Sequence, residues 1–468
     1  MKQPLYRLTA AATVLLAGCA SFPPDGGFDK VAALTQERVG QVARARRSDA
    51  DTEASAGRVA ELLKAPLTSD SAVEIALLNN RGLQAKFGEL GIAEADLVRS
   101  GRVKNPSFSF GRLGGAAGVE IERAVLFDVL GLLTMPLARE VGQRRFEQAQ
   151  YQAAYDAVGL AADARRAYYD AVAAQEMVKF LGQVKETADV SSELARRMLQ
   201  AGNFNKLTQM REQAFHADAT AQLARARHQA TADREKLTRL LGLTGAQLDF
   251  RLPERLPDLP IAPTVPQDAE RTAMAMRLDV LMSNRETEAT ARSLGLTRAT
   301  RVVNVLELGL RSKSESGGPR ANGYEIELEL PLFDFGSTRA ARAQATYMQA
   351  VNRAAEVAVN ARSEVREAYS AYRTAFEMAR HYRDEVVPLR KRISEENLLR
   401  YNGMLISVFE LLADAREQVA GVTGYVQALR DFWVADTNLQ TALTGRSPGA
   451  IGVSQPAASS GAAPAQGH

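Results

Sequence analysis

The feature that most constrains this chain is that it contains one pattern twice. Arg165-Arg166-Ala167-Tyr168 returns as Arg366-Glu367-Ala368-Tyr369, and Gly202, after Gln200-Ala201, returns as Gly403, after Tyr401-Asn402; both pairs lie 201 residues apart. A seam of small and apolar residues, spaced alternately four and three apart, runs through Ala153, Ala157, Leu160, Ala164, Ala167, Ala171, Ala174 and Val178. The same offset carries it to Ala354, Ala358, Ala361, Val365, Ala368, Tyr372, Ala375 and Ala379. Seams that keep step over more than three heptads describe a duplicated helical unit.

The helical pattern runs from about 137 to 199 and from about 338 to 399, with Pro388 as the one proline in these stretches. At about 1.5 Å per residue such helices approach 90 Å. Pro388 removes a backbone donor and crowds the preceding turn, so it predicts a kink or local loosening. Each helix turns at Gly202 or Gly403 and returns as a shorter partner, giving helical hairpins over about 137–243 and 338–443. Their Ala-lined seams bury only narrow lateral stripes, which suits a thin wall wet on both sides better than a thick core.

Upstream of each long helix the period falls to two. Tyr324-Glu325-Ile326-Glu327-Leu328-Glu329-Leu330 alternates apolar and acidic residues, and Val119-Glu120-Ile121-Glu122 is its counterpart. Each follows another strand candidate, Ser107 to Phe110 and Val303 to Leu310, across a Gly-rich polar loop. The expected strands therefore fall within about 105–126 and 302–331, four per chain. Apolar-out, charged-in alternation is the pattern of a membrane-barrel strand, and also of a half-buried soluble sheet. Four strands cannot close a barrel, and open edges in hydrocarbon leave backbone groups unpaired at several kcal/mol each. Three copies give twelve strands and twelve long helices: a mainly α fold with a small β part, in which a trimeric 12-stranded β-barrel is continued by a 12-helix α-barrel.

Composition narrows the function. With 58 Lys+Arg against 55 Asp+Glu, the net charge of +3 is too weak a field to gather nucleic acid. One cysteine and four scattered histidines make a metal cage hard to build and an intramolecular disulfide impossible. No Ser/His/Asp constellation or phosphate-binding loop stands out, so neither an enzyme nor a cofactor is expected.

The first 18 residues read as a bacterial secretory leader: Lys2 and Arg7, then an apolar run from Leu8 to Leu16 too short to span a bilayer. Leu16-Ala17-Gly18-Cys19 looks like a lipoprotein cleavage box, which implies acylation of Cys19; Ala20 in place of Asp favours the outer membrane. The remaining boundaries are an N-terminal arm over 19–66, a first repeat over 67–250, a linker with five prolines over 251–267, a second repeat over 268–445, and a disordered Pro/Ala/Ser/Gly tail over 446–468.

Leu330-Pro331-Leu332-Phe333-Asp334-Phe335-Gly336 looks like the strand-to-helix junction of the TolC-like outer membrane factor family. Arg400-Tyr401-Asn402-Gly403 through Glu410-Leu411-Leu412-Ala413-Asp414-Ala415-Arg416 resembles its periplasmic tip, and Ala201 to Leu207 the matching tip of the first repeat. The resemblance covers about 68–445. It departs at 127–136, where the first junction is about five residues longer, and at Ala413, where the family often has Asp.

The resemblance implies a homotrimeric, lipid-anchored exit duct of a tripartite efflux or type I secretion system, extending from the outer membrane into the periplasm. Its partners would be a periplasmic adaptor, an inner-membrane pump and outer-membrane lipid. Glu410 with Asp414, and Arg400 with Tyr401, become gate candidates. Glu120, Glu122, Glu325, Glu327 and Glu329 become an acidic luminal lining that favours cations. A lipid-anchored periplasmic coiled coil or adaptor remains the alternative for the helices, and leaves the duplicated strands unexplained. The residues do not distinguish drug, metal-ion or polypeptide export.

Overall fold

The computed structural model describes residues 22–449 except 23, 116–117, 302, 304 and 330–332. Cys19, the leader, the tail beyond 449 and Leu330-Pro331-Leu332 lie outside the described residues. The elements in chain order are α1 (Phe28–Val39), α2 (Asp49–Leu62), α3 (Ser69–Asn79), α4 (Arg81–Ser100), β1 (Ser107–Gly115), β2 (Gly118–Asp128), α5 (Val129–Gln200), α6 (Lys206–Leu241), α7 (Ala269–Met276), α8 (Leu278–Ala299), β3 (Val305–Glu315), β4 (Ala321–Glu329), α9 (Ser337–His381), α10 (Val387–Asn402) and α11 (Val408–Thr444). The arm over 19–66, read without assigned elements, holds α1 and α2. Ser48 and Asp51 close a reciprocal cap at the start of α2, and Thr68 and Ser71 do the same for α3.

The chain forms two compact units, and each draws on both repeats. One comprises the residues up to Val31 with Ala85–Ala154 and Leu278–Asn360; the other comprises Ala32–Gln84, Tyr155–Arg277 and Ala361 onward. α5 and α9 pass from the first into the second.

In the first unit the two expected hairpins join into one antiparallel sheet of order β1-β2-β3-β4. The helices that flank the strands pack in the same order. A Cβ on Gly142 of α5 would lie 2.3 Å from Ser100 Oγ of α4, so these two helices touch. α8 sits between α5 and α9: Arg285 Nε lies 3.7 Å from Glu147 Oε2, and Arg298 donates to Gln344 Oε1 at 3.0 Å.

The strand-to-helix junctions differ. A long first junction was expected, with helix only from about 137. Instead β2 ends at Asp128 and α5 begins at Val129, carrying Pro136 inside it. Asp128 makes this abrupt change possible by accepting the Gly131 N–H at 2.7 Å. The second junction turns on Asp334, which accepts from Gly336 N at 2.9 Å. Gly336 has φ 68°, and a Cβ there would lie 2.5 Å from the Arg301 carbonyl oxygen, so glycine is required.

The core of the second unit lies along the predicted seams. Ala157, Ala164, Ala167, Ala361, Val365 and Ala368 are all fully buried. Around them pack Tyr372, Phe376 and Phe432, with Phe432 against Trp433 at 5.1 Å and Trp433 stacked on Tyr169 at 5.4 Å. Small seam residues let the helices approach while these rings fill the wider gaps. The proline-rich linker packs here too: Leu256 and Leu259 are buried, Trp433 Nε1 donates to the Pro257 carbonyl at 3.0 Å, and Thr264 N donates to Tyr372 Oη at 2.8 Å. Near the predicted weak point of the second long helix, Tyr382–Val386 form a π-helical turn just before Pro388. The wider turn lets the chain pass the proline without a break.

One carboxylate opposes this packing. Burial raises the Asp436 pKa, and the Arg165 guanidinium only partly offsets it. A raised carboxylate pKa means the folded state binds the proton more tightly than the unfolded chain. Its cost is therefore present above the folded pKa and absent below the ordinary carboxylate range, about pH 4. Asp436→Asn should raise the thermal midpoint at pH 8 and leave it unchanged below about pH 4, which unfolding scans at the two pH values check.

Candidate functional site

The sheet has two chemically distinct faces, fixed by its register. Glu122 lies opposite Lys313, Ala124 opposite Arg311, Gly309 opposite Glu325, and Glu307 opposite Glu327. One face therefore collects all five predicted glutamates, Glu120, Glu122, Glu325, Glu327 and Glu329, together with Asp128, Glu307 and Glu315. The other collects Phe108, Phe110, Phe127, Leu308, Leu310, Tyr324, Ile326 and Leu328, every one exposed. A single chain thus leaves a broad apolar sheet face uncovered, and β1 and β4 have one unpaired edge each.

Sequence reasoning missed the two cations on the acidic face. Arg311 lies 3.1 Å from Glu122 and 3.7 Å from Glu325. Lys313 lies 2.6 Å from Glu120 and 3.3 Å from Glu315. Two cations thus offset half of the charge of these four carboxylates, and a less compensated group lies toward the helices. There Asp128, Glu307 and Glu327 stand directly opposite one another across three strands. Lys104 Nζ approaches Asp128 at 3.8 Å, whereas Glu307 and Glu327 have no cation partner among the described residues. The odd positions of β3 carry both signs, a signal readable in Arg311-Ser312-Lys313 once the register is known.

At the hairpin ends the four gate candidates make only local contacts. Arg400 pairs within its own helix, with Glu396 at 3.1 Å, and Tyr401 is exposed. Glu410 stands at the start of α11, where Ser407 Oγ accepts its N–H at 3.4 Å and donates to its carboxylate at 3.3 Å. Asp414, one turn on, is buried, with Oδ2 unpaired among the described residues. The turns also differ. Gly202 takes the left-handed conformation with φ 77°, but Gly403 does not, and Met404 does so in its place at φ 59°.

Near the hairpin ends, a charged contact between the two hairpins uses Glu212, not singled out from the sequence, and Arg416, the last residue of the tip motif. Arg416 of α11 donates to Glu212 Oε1 of α6 at 2.9 Å, and Ser191 Oγ of α5 donates to Glu212 Oε2 at 2.8 Å. The guanidinium also lies 4.5 Å from the Phe215 ring centre, the position that Arg416 itself matches in the 201-residue register. Val184, Ala188 and Ala219 form the apolar patch alongside, with Phe215 and Val419 packed on it. Nearby, Asp189 accepts from Lys185 at 2.6 Å and meets His216 Nε2 at 2.8 Å. These partners, Lys185 foremost, hold the Asp189 carboxyl below its usual range.

Among the described residues no helix is long and apolar enough to cross a membrane, and no three His, Cys, Asp or Glu side chains are grouped to hold a metal ion. Duplicated helical hairpins feeding one four-stranded sheet are a fold that this chain shares with solved outer membrane channels. No protein-family model matches the chain, and no curated sequence does. Solved structures do. The Campylobacter jejuni CmeC outer membrane channel matches with a TM-score of 0.72 at 17% identity, over 82% of this chain and 87% of that one. The outer-membrane channel OprN gives 0.67 at 19%, over 88% and 95%. The open state of the Neisseria gonorrhoeae MtrE outer membrane channel gives 0.66 at 15%, over 80% and 88%.

Arg416→Met should leave Glu212, with its side chain 3% exposed, buried without its countercharge, costing about 3 kcal/mol of local stability. Amide hydrogen exchange across 208–219 should accelerate by about two orders of magnitude. Unchanged protection there would show that the pair does not hold the hairpins together.

Proposed function

We propose that the chain is the outer-membrane exit duct of an export system, acting as a passive homotrimer. The observation that carries this reading is the open four-stranded sheet with one exposed apolar face and one charged face. Buried in a bilayer as a monomer, its two edges would leave backbone donors and acceptors unpaired at several kcal/mol each. Three copies remove every edge, turn the apolar face to lipid and the charged face to water, and give the 12-stranded barrel. The long helices then continue the wall as a 12-helix tube in the periplasm. Acylation of Cys19 adds an anchor worth about 0.8 kcal/mol per buried methylene.

The reading is supported by the likeness in fold to CmeC, OprN and MtrE, each described as an outer membrane channel. A duct supplies no energy, so an inner-membrane pump must, with an adaptor bridging to the helix tips. Gating is assigned to those tips: Glu410 and the buried Asp414 bring carboxylates together where α11 begins, and Glu212–Arg416 ties the second hairpin to the first. An adaptor that binds the separated tips more tightly shifts the population toward open.

Two electrical measurements in planar bilayers test this reading. Wild-type protein should conduct weakly, and Glu410→Ala with Asp414→Asn should raise single-channel conductance several-fold; an unchanged value removes both residues from the gate. Replacing Arg311 and Lys313 by Gln exposes two positive vacancies per chain on the acidic face. Reversal potentials in a salt gradient should then shift toward greater cation preference, and no shift would place that face outside the conducting path.

A further inference from the structure

The helices that meet the strands carry a surface that conduction does not use. On α8, Ala289, Thr290, Ser293 and Thr297, with Thr300 just past its end, form a stripe of small side chains at the floor of a groove of about 440 Å³. Arg145 of α5 stands on one wall, and Arg339 and Arg342 of α9 on the other. The floor hydroxyls are already engaged: Thr290, Thr297 and Thr300 donate to carbonyls of their own helix at 2.9–3.0 Å. Arg339 donates to the Thr300 carbonyl at 2.8 Å. Among the described residues the side chains of Arg145 and Arg342 have neither a hydrogen bond nor an ion pair; the Arg342 carbonyl accepts from Thr346 Oγ1 at 2.9 Å. Glu286, the one carboxylate lining the groove, offsets only one of three guanidinium charges.

A second trough, of about 1090 Å³, adjoins this groove and shares Arg145 and Ser293 with it, so both open along one face of the helix layer. It is chiefly apolar, with Phe22, Leu97, Val98, Val103, Val141 and Leu296 among its lining residues. Arg102 and Lys104 border it where the chain enters β1, and the Arg102 guanidinium lies 6.0 Å from the Phe22 ring centre. Cationic groove and apolar trough are thus joined at the base of the sheet, the level at which a membrane-inserted sheet passes from hydrocarbon to headgroups.

We propose that this face binds a glycerophospholipid, its phosphate among Arg145, Arg339 and Arg342 and an acyl chain in the trough. Guanidinium groups without carboxylate partners favour a phosphate, to which they can donate in pairs. The apolar trough beside them favours a lipid over a free anion, which would use the groove alone. The glycerolipid expected on Cys19 lies only three residues before Phe22 and can reach the trough, but it bears no phosphate and leaves the arginines unpaired. The proposal does not depend on conduction, because binding is read on the purified protein.

Native mass spectrometry of the full mature protein in a non-ionic detergent tests it, with phosphatidylglycerol as the probe. Wild type should retain the lipid, and an Arg145→Gln/Arg342→Gln variant should bind it about thirtyfold more weakly, given that each basic residue near a lipid phosphate contributes roughly 1 kcal/mol. Both side chains are exposed and unpaired, so the variant should fold, which an unchanged circular dichroism spectrum verifies. Diacylglycerol, lacking the phosphate, should bind both proteins equally weakly. Equal retention of phosphatidylglycerol by wild type and variant overturns the proposal. So does complete displacement by inorganic phosphate, which would assign the groove to a free anion, and so does a large gain in binding in Cys19→Ala, which would assign the trough to the protein's own acyl chains.

Discussion

Backbone hydrogen bonding at the edges of the sheet is the constraint on which the rest depends. β1 and β4 are each paired on one side only. In water those edges would be hydrated, but the exposed face beside them carries Phe108, Phe110, Leu310, Tyr324 and Ile326 and, in the proposed duct, faces hydrocarbon. An apolar environment and an unpaired edge are incompatible unless other strands complete the ring. The duplication solves half of this problem within the chain, because β2 and β3 come from different repeats and pair directly through Glu122 opposite Lys313 and Ala124 opposite Arg311. In the proposed trimer, identical copies solve the other half.

The same economy appears in the helices. Alanine seams allow close approach but bury little area per residue, so lateral packing of a thin wall needs help where it matters. The aromatic group of Tyr372, Phe376, Phe432 and Trp433 supplies it in the second unit, and the linker is held onto that group by Trp433 and Tyr372. Farther toward the hairpin ends the packing thins to the small patch around Val184, Ala188 and Ala219, and polar contacts take over at Glu212 and Arg416. Weak apolar packing joined by a few charged contacts suits the proposed gate, in which the ends part without exposing a large core.

Much of this was legible in the sequence because it is periodic. The seam residues from Ala153 to Ala379, the two strand pairs, the turn at Gly202 and the non-helical linker all follow from spacing and from Gly and Pro chemistry. What was not legible depends on partners far apart in the chain. Arg311 and Lys313 matter only through their register against Glu122 and Glu120, which alternation alone does not fix. Glu212 and Arg416 are ordinary helix residues until the hairpins lie side by side. The first junction was misjudged because a strand ending in Asp128 can cap a helix at once, so extra residues before Pro136 lengthen the helix and not the loop. At Gly403 the repeat predicts the turn, but the left-handed conformation falls on Met404, a local choice that spacing does not encode.

The central claim is that one chain cannot satisfy its own sheet, and the mass of the folded particle tests it most directly. Protein refolded or extracted into a mild detergent, weighed by native mass spectrometry after detergent removal, should contain three chains and show the sheet signal in circular dichroism. A stable particle of one chain that keeps its four strands in detergent would contradict the account.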